Sequence, residues 1–241
     1  MSLLPKELNI GWALSGDKHK IIFNDPKRTL ANKDKSLNGK GYLSCPAVRS
    51  FLDNQFYIPS PYAIRLRFKD YSERFEIHPV YPFTSINENI LKDFLFIEHP
   101  SSWREKHLIT IQMPSPYVFF SDDPCFIEQS HPLLLNQTSL NWRLIPGKFD
   151  IYSWQRPLNW AFEWDIRSGD LIIQEGEPLY IVRFFSEKFK ESTKVSLKKY
   201  EMNDKIKKRL ELTHEITKVK KGINPLIQKA KIDRKKIKLL K

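Results

Sequence analysis

A mainly β fold is what the sequence predicts: an antiparallel sandwich or jelly-roll-like body carrying a basic α-helical C-terminal extension. Three observations predict it. Sixteen prolines stand against only eight glycines, with 13% aromatic residues, a composition suited to many short strands and turns rather than to a helical bundle. Segments of strand length, several with apolar and polar residues alternating, recur along the body after about residue 54. The net charge of +12 is also sharply segregated: residues 1–186 hold 21 basic and 21 acidic side chains, whereas residues 187–241 hold 19 and 7. A neutral, aromatic-rich body (1–186) is therefore followed by a basic appendage (187–241) whose only aromatics are Phe189 and Tyr200.

Taken in order, residues 1–54 read as a loosely ordered leading segment. Lys20-Ile21-Ile22-Phe23 suggests a strand there, while Asn24-Asp25-Pro26 and residues 32–41 read as turn and loop. Ile64, Leu66 and Phe68 alternate with Arg65, Arg67 and Lys69, the period of a strand with one wet face. Further strands fit His107–Met113, Tyr117–Phe120, Trp160–Ile166, Leu171–Ile173 and Leu179–Phe185, and short helices fit Ala47–Asp53 and Ile86–Phe94. Pro59-Ser60-Pro61-Tyr62 and Pro114-Ser115-Pro116-Tyr117 each precede a strand. Prolines fix an extended backbone and remove donors, as suits a strand start at a sheet edge. The repeat is either a shared strand-starter or the mark of two sheets built alike. Tight turns at Arg167-Ser168-Gly169-Asp170 and Glu175-Gly176-Glu177-Pro178 predict that the last three strands form a meander.

In the extension, residues 202–221 have helix-forming composition, with Ile206, Leu210, Thr213 and Val219 as a thin apolar seam ended by Gly222. Asn224-Pro225 reads as cap and first-turn proline of a second helix bearing Leu226, Ile227, Ala230 and Ile237.

Several classes of function are disfavoured. No run of about eighteen apolar residues offers a membrane span, and the opening Met-Ser-Leu-Leu-Pro-Lys-Glu lacks the layout of a secretory signal. Cys45 and Cys125 are too few for a disulfide framework or a cysteine-only zinc site, so the cytoplasm is the expected compartment. Glycine-rich phosphate loops and a Gly-x-Ser-x-Gly elbow are missing, and none of the six histidines begins a His-x-Asp/Glu pair. Glu76-Ile77-His78 has that spacing in reverse, and Asp122-Asp123 and Glu163/Asp165 are paired carboxylates of a kind general acid/base chemistry uses. No catalytic residue, metal ligand or cofactor is assigned.

Two binding regions are. Trp154, Trp160 and Trp164, with Arg156 among them, combine broad apolar surfaces with a planar cation suited to a carboxylate or phosphate, and form a candidate ligand groove. Lys205, Lys207, Lys208, Arg209, Lys218, Lys220, Lys221, Arg234, Lys235, Lys236 and Lys238 flank the two helical seams. A basic amphipathic pair of this kind engages nucleic acid, an acidic protein or an anionic surface.

Two resemblances add to this. Residues 169–178, Gly-Asp-Leu-Ile-Ile-Gln-Glu-Gly-Glu-Pro, resemble the second cupin motif, which implies a jelly-roll strand pair. Leu179 and Tyr180 stand where cupins place a metal-binding His. Between residues 43 and 185, Cys45-Pro46-Ala47, the strand opened by Pro114-Ser115-Pro116-Tyr117 with Asp123-Pro124 and His131-Pro132-Leu133 after it, Trp160-Ala161-Phe162 and Glu175-Gly176-Glu177-Pro178-Leu179-Tyr180 resemble a family of proteins without assigned activity. That family occurs in tailed phages of marine bacteria and in some bacteria, so the resemblance implies a phage-encoded protein working in the host cytoplasm. The expectation is a non-catalytic binding or structural accessory protein whose tail engages a polyanion or a protein partner. The competing expectations are a metal-dependent enzyme on a cupin-like or oxygenase-like jelly roll and a virion assembly component.

Overall fold

The computed structural model describes residues 7–16, 21–30, 44–71, 74–135, 137–188, 193–218 and 239–240. Among them are fifteen strands and three α-helices. Four sheets are formed, with strand orders β15-β1-β8, β10-β12-β7-β6, β11-β9-β14-β3-β2 and β13-β4-β5. In chain order the strands are β1 (Glu7–Leu14), β2 (Lys27–Arg28), β3 (Gln55–Pro59), β4 (Ile64–Asp70), β5 (Phe75–Pro79), β6 (Phe96–Ile97), β7 (Leu108–Met113) and β8 (Tyr117–Phe120). They continue with β9 (Phe126–Ser130), β10 (Trp142–Leu144), β11 (Gly147–Asp150), β12 (Trp160–Asp165), β13 (Leu171–Ile173), β14 (Pro178–Phe185) and β15 (Lys194–Lys199). The helices are α1 (Pro46–Leu52), α2 (Glu88–Phe94) and α3 (Asp204–Lys218). Every ladder is antiparallel except β1 with β15.

Alternation decides which faces turn inward. On β12 Trp160, Phe162 and Trp164 are buried while Ala161, Glu163 and Asp165 are half-exposed. On β7 the buried set is Ile109, Ile111 and Met113, which face those three across the ladder. Inner residues of all four sheets join one large apolar cluster, from Leu8, Ile10 and Trp12 on β1 to Tyr180, Val182 and Phe184 on β14. Full burial of one such side chain contributes about 1.5–3 kcal/mol, so this shared interior holds the sheets together.

Four expectations are corrected. First, the leading segment supplies the central strand of a sheet: Leu8, Ile10 and Trp12 of β1 face the core between β8 and β15. Second, Ile21–Phe23 form no strand. Phe23 meets Tyr117 edge-on, 5.9 Å between ring centroids, and the Tyr117 hydroxyl donates to Asn24 O, so side chains hold this stretch and the ladder begins only at β2. Lys20 and residues 32–41 lie outside the described residues.

Third, β12, β13 and β14 are not a meander. They join three different sheets, pairing with β7 and β10, with β4, and with β3 and β9 respectively. A two-residue hairpin would keep neighbours paired. Here a 3₁₀ turn at Ile166–Ser168 and Gly169 at φ 92° redirect the chain, and Gly176 at φ 80° does so again. Fourth, the boundary at residue 186 cuts through the folded unit. β15 hydrogen-bonds along β1, and its other edge is held by Asn54, which donates to Thr193 O (2.8 Å) and accepts from Val195 N (2.9 Å).

The two Pro-Ser-Pro-Tyr segments lead into β4 and β8, strands of different sheets. They nevertheless meet: Pro59, Pro61, Tyr62, Pro114, Ser115 and Tyr117 line one small cavity beside Trp160 and Leu179. Ser115 Oγ and the buried Tyr180 hydroxyl are 2.9 Å apart there.

The sheet β15-β1-β8 is covered on both faces, which is why all four β8 residues are buried. Tyr117 and Phe119 face the main core, whereas Val118 and Phe120 join Ala13, Ile206 and Leu239 in a second cluster. Gly11 lies opposite Phe120 in the ladder. A Cβ on Gly11 would come within 2.1 Å of the Phe120 ring, so the glycine makes room for that ring under α3.

Candidate ligand groove between the sheet body and the C-terminal helix

The loop from β11 to β12 is shaped by its own polar groups. Asp150 Oδ1 accepts from Tyr152 N (3.0 Å) and Ser153 N (2.9 Å), an Asx turn. Ile151 and Leu158 are buried anchors, Leu158 N donates to Tyr117 O (3.2 Å), and Pro157 bridges to Val118. Gln155 is 1% exposed and donates its amide to Ile151 O and Tyr152 O, which fixes the amide orientation and leaves Oε1 without a partner among the described residues. Trp154, Gln155, Arg156, Pro157 and Asn159, with Pro114, form one wall of a groove of about 690 Å³. Leu210, Glu211 and Thr213 of α3 form the other. The volume falls within the range of about 300–1,000 Å³ usual for small-molecule sites.

Helix α3 is held at its N-terminus and along its buried face. Asn203 Oδ1 accepts from Ile206 N (3.1 Å), an N-cap, and Ile206 is buried against Ala13, Val118 and Phe120. Arg209, only 2% exposed, pairs with Asp122 at 3.6 Å. Burial pulls the Arg209 guanidinium below its ordinary range, with Asp122 opposing that shift. Asp122 also accepts from Leu239 N (2.9 Å) and Leu240 N (2.8 Å), so one carboxylate ties β8, α3 and the chain end together.

Of the four residues expected in the groove, Trp154 and Arg156 are there; Trp160 and Trp164 are not. Their period-two placement sends the latter pair to the core, at 2% and 0% exposure. Trp160 stacks on Phe162 at 4.2 Å, and Trp164 Nε1 donates to Gly169 O at 3.1 Å. Of the basic residues, Lys205 and Lys208 are exposed, Lys207 is half-buried and Lys218 ends α3. Arg209 faces inward and is committed to Asp122, which removes it from the surface set. Lys220, Lys221, Arg234, Lys235, Lys236, Lys238 and the second expected helix lie outside the described residues.

The groove's further members, Pro114, Gln155, Pro157, Asn159, Leu210, Glu211 and Thr213, were not singled out as ligand contacts by sequence reasoning. The α3 seam marked Leu210 and Thr213 as inward-facing, but nothing in the pattern said against which loop.

Other candidate chemistry is taken up structurally. Glu163 accepts both nitrogens of Arg104 (3.1 and 2.8 Å), and Asp165 those of Arg167 (3.1 and 3.0 Å). In the segment resembling the cupin motif, Asp170 brackets Arg65 (2.7 Å) and Arg67 (2.9 Å) on β4. Hydrogen bonds from Arg67 hold its carboxyl below the usual carboxylate range. The buried Glu177 accepts from Thr138 N (2.8 Å) and Gln174 N (2.9 Å). Glu76 pairs with His78 at 2.9 Å. His131 Nδ1 accepts from Leu144 N (3.2 Å), and burial lowers its pKa. Cys125 is buried and its thiol is pushed up to about 12, the behaviour of an inert apolar filler. Among the described residues no three His, Cys, Asp or Glu side chains converge as a metal site, and no helix is long and apolar enough to cross a membrane.

Compared with known proteins, the chain matches no protein-family model, no curated protein and no solved structure.

Proposed function

We propose that this chain is a non-catalytic binding protein in which the groove beside Trp154 receives a small ligand and the basic extension engages a polyanion. The observation that carries the reading is the shared construction of the groove, one wall from the neutral body and the other from the basic extension. Because α3 belongs to both, occupancy of the groove and engagement of the extension are linked through the position of one helix. In this reading the body is a jelly-roll-like sandwich, supported by consecutive strands that pass to different sheets around a common core. In this reading the protein works in the cytoplasm of an infected host, the setting that the sequence resemblance to marine phage proteins implies.

Two titrations on the full chain test this. The fluorescent apolar anion 1-anilinonaphthalene-8-sulfonate is expected to bind the wild type and to lose at least fivefold in affinity in Trp154→Ala; unchanged binding would refute the groove. Duplex DNA is expected to bind with a steep salt dependence. The double variant Lys205→Glu/Lys208→Glu is expected to lower the log–log slope by about 1.8, at ~0.9 per phosphate contact. A slope unaltered by the substitutions would refute nucleic acid as the polyanion and point to an acidic protein.

A further inference from the structure

The groove carries a charge pattern that narrows its ligand. Several acidic side chains outside the groove pair with basic ones: Glu163 with Arg104, Asp165 with Arg167, Glu88 with Lys92 and Asp25 with Lys199. Arg156 and Glu211 differ. Arg156 meets no carboxylate among the described residues; its Nε reaches only Pro157 O at 3.4 Å, and its guanidinium stands 6.0 Å over the Phe149 ring. Glu211 on α3 has no cation within ion-pair distance among the described residues and is exposed. Both line the same groove, Arg156 from the loop and Glu211 from α3. Trp154, Pro114, Pro157 and Leu210 line it too, and its lining is predominantly apolar.

We infer that the groove binds a small zwitterion, a free α-amino acid or short peptide with an apolar side chain. Its carboxylate meets Arg156, its ammonium meets Glu211, and its side chain packs on Trp154 and Leu210. Charge complementarity selects this class. A simple anion would satisfy Arg156 and face the Glu211 carboxylate, and a simple cation would do the reverse. A neutral apolar ligand would gain from neither, and would desolvate both charges without a partner. Only a ligand with both signs completes both walls, and a planar guanidinium is suited to hold a carboxylate through two parallel bonds. The inference rests on the groove reading above and adds to it the identity of the ligand class.

Isothermal titration calorimetry of the full chain with the dipeptide phenylalanyl-leucine, and with its N-acetyl and C-amide derivatives, tests it. The free dipeptide is expected to bind, and capping either end to weaken binding at least tenfold. Glu211→Gln is expected to abolish discrimination against the N-acetyl form while keeping that against the amide; Arg156→Gln is expected to do the opposite. Both side chains are exposed, so an unchanged thermal midpoint serves as the check that each variant folds. Equal binding of free and capped forms, or loss of both discriminations in either variant, would overturn the inference. If the dipeptide fails to bind while the anilinonaphthalene sulfonate still binds in a Trp154-dependent way, the groove stands and the zwitterion falls; if neither binds, both fall.

Discussion

Replacing Asp122 with alanine removes the one carboxylate that joins β8, α3 and the chain end. Arg209, 2% exposed, then loses this ion pair in the interior, and Leu239 N and Leu240 N lose their acceptor. Breaking a buried ion pair from one side costs about 3–5 kcal/mol, and each hydrogen bond to a charged acceptor contributes about 1.5–3 kcal/mol. These costs do not add, because the helix has an alternative: it can leave the sheet and return Arg209 to water. The loss is therefore capped by the docking free energy of α3 and appears as local opening rather than global unfolding. A penalty of 3–5 kcal/mol raises the undocked population between about a hundredfold and several thousandfold, at ~1.4 kcal/mol per factor of ten. Amide hydrogen exchange reads this directly. Backbone amides of residues 207–213 are expected to accelerate by that factor, whereas those of β7 and β12 keep their protection. The Trp154 groove loses a wall in the open state, so affinity for the anilinonaphthalene sulfonate falls in parallel. Acceleration of less than tenfold in α3, or equal acceleration throughout the sheets, would refute the reasoning.

Three further outcomes follow from the geometry. Gly11→Ala places a Cβ 2.1 Å from a Phe120 ring that is fully buried. Overpacking of this kind costs about 1–3 kcal/mol, which calorimetry should register as a fall in Tm of about 2–12 °C, partly recovered by adding Phe120→Leu. His131 accepts a hydrogen bond at Nδ1 as the neutral ring. Burial, with Arg143 beside it and Gln137 opposing, holds its pKa below the ordinary 6.5. The unfolded chain therefore takes up the proton first, so this contribution is full above pH 6.5 and is lost as pH falls beneath it; urea midpoints between pH 7.5 and 5.5 should drop in the wild type and drop less in His131→Gln. Asp170 has a depressed pKa through Arg67 and Arg65. Its contribution is present above the ordinary carboxylate pKa and disappears as pH falls through the depressed value. Asp170→Asn should cost about 1–3 kcal/mol near neutrality, a range kept low because Arg67 is half-exposed; a midpoint equal to wild type in urea would contradict the bracket.

Local pattern alone was sufficient wherever a strand has one wet face. The alternation at residues 64–69 and 160–165 specified β4 and β12 and correctly assigned their inner sides, because side-chain direction along a strand depends only on a period of two. The same rule was available for β1, where Leu8, Ile10 and Trp12 alternate, but Gly11 and Ala13 hide the outer face as small residues rather than polar ones. That departure has a tertiary cause: the outer face lies under Phe120 and α3. Of the expected seam Ile206 and Thr213 are buried, Leu210 packs against the second cluster and Val219 lies outside the described residues; the segregation of charge was plain from composition. Which sheet each strand joins was not, since β12, β13 and β14 look like a meander until the 3₁₀ turn and Gly169 send them to three different partners. The groove was half-legible: Trp154 and Arg156 stood out by type, whereas Glu211 belongs to a helix more than fifty residues away. Sequence periodicity determines which way a side chain faces; only the closed fold decides what stands opposite it, because burial of Ile206 against Val118 and Phe120, and not any local preference, brings the helix to the loop.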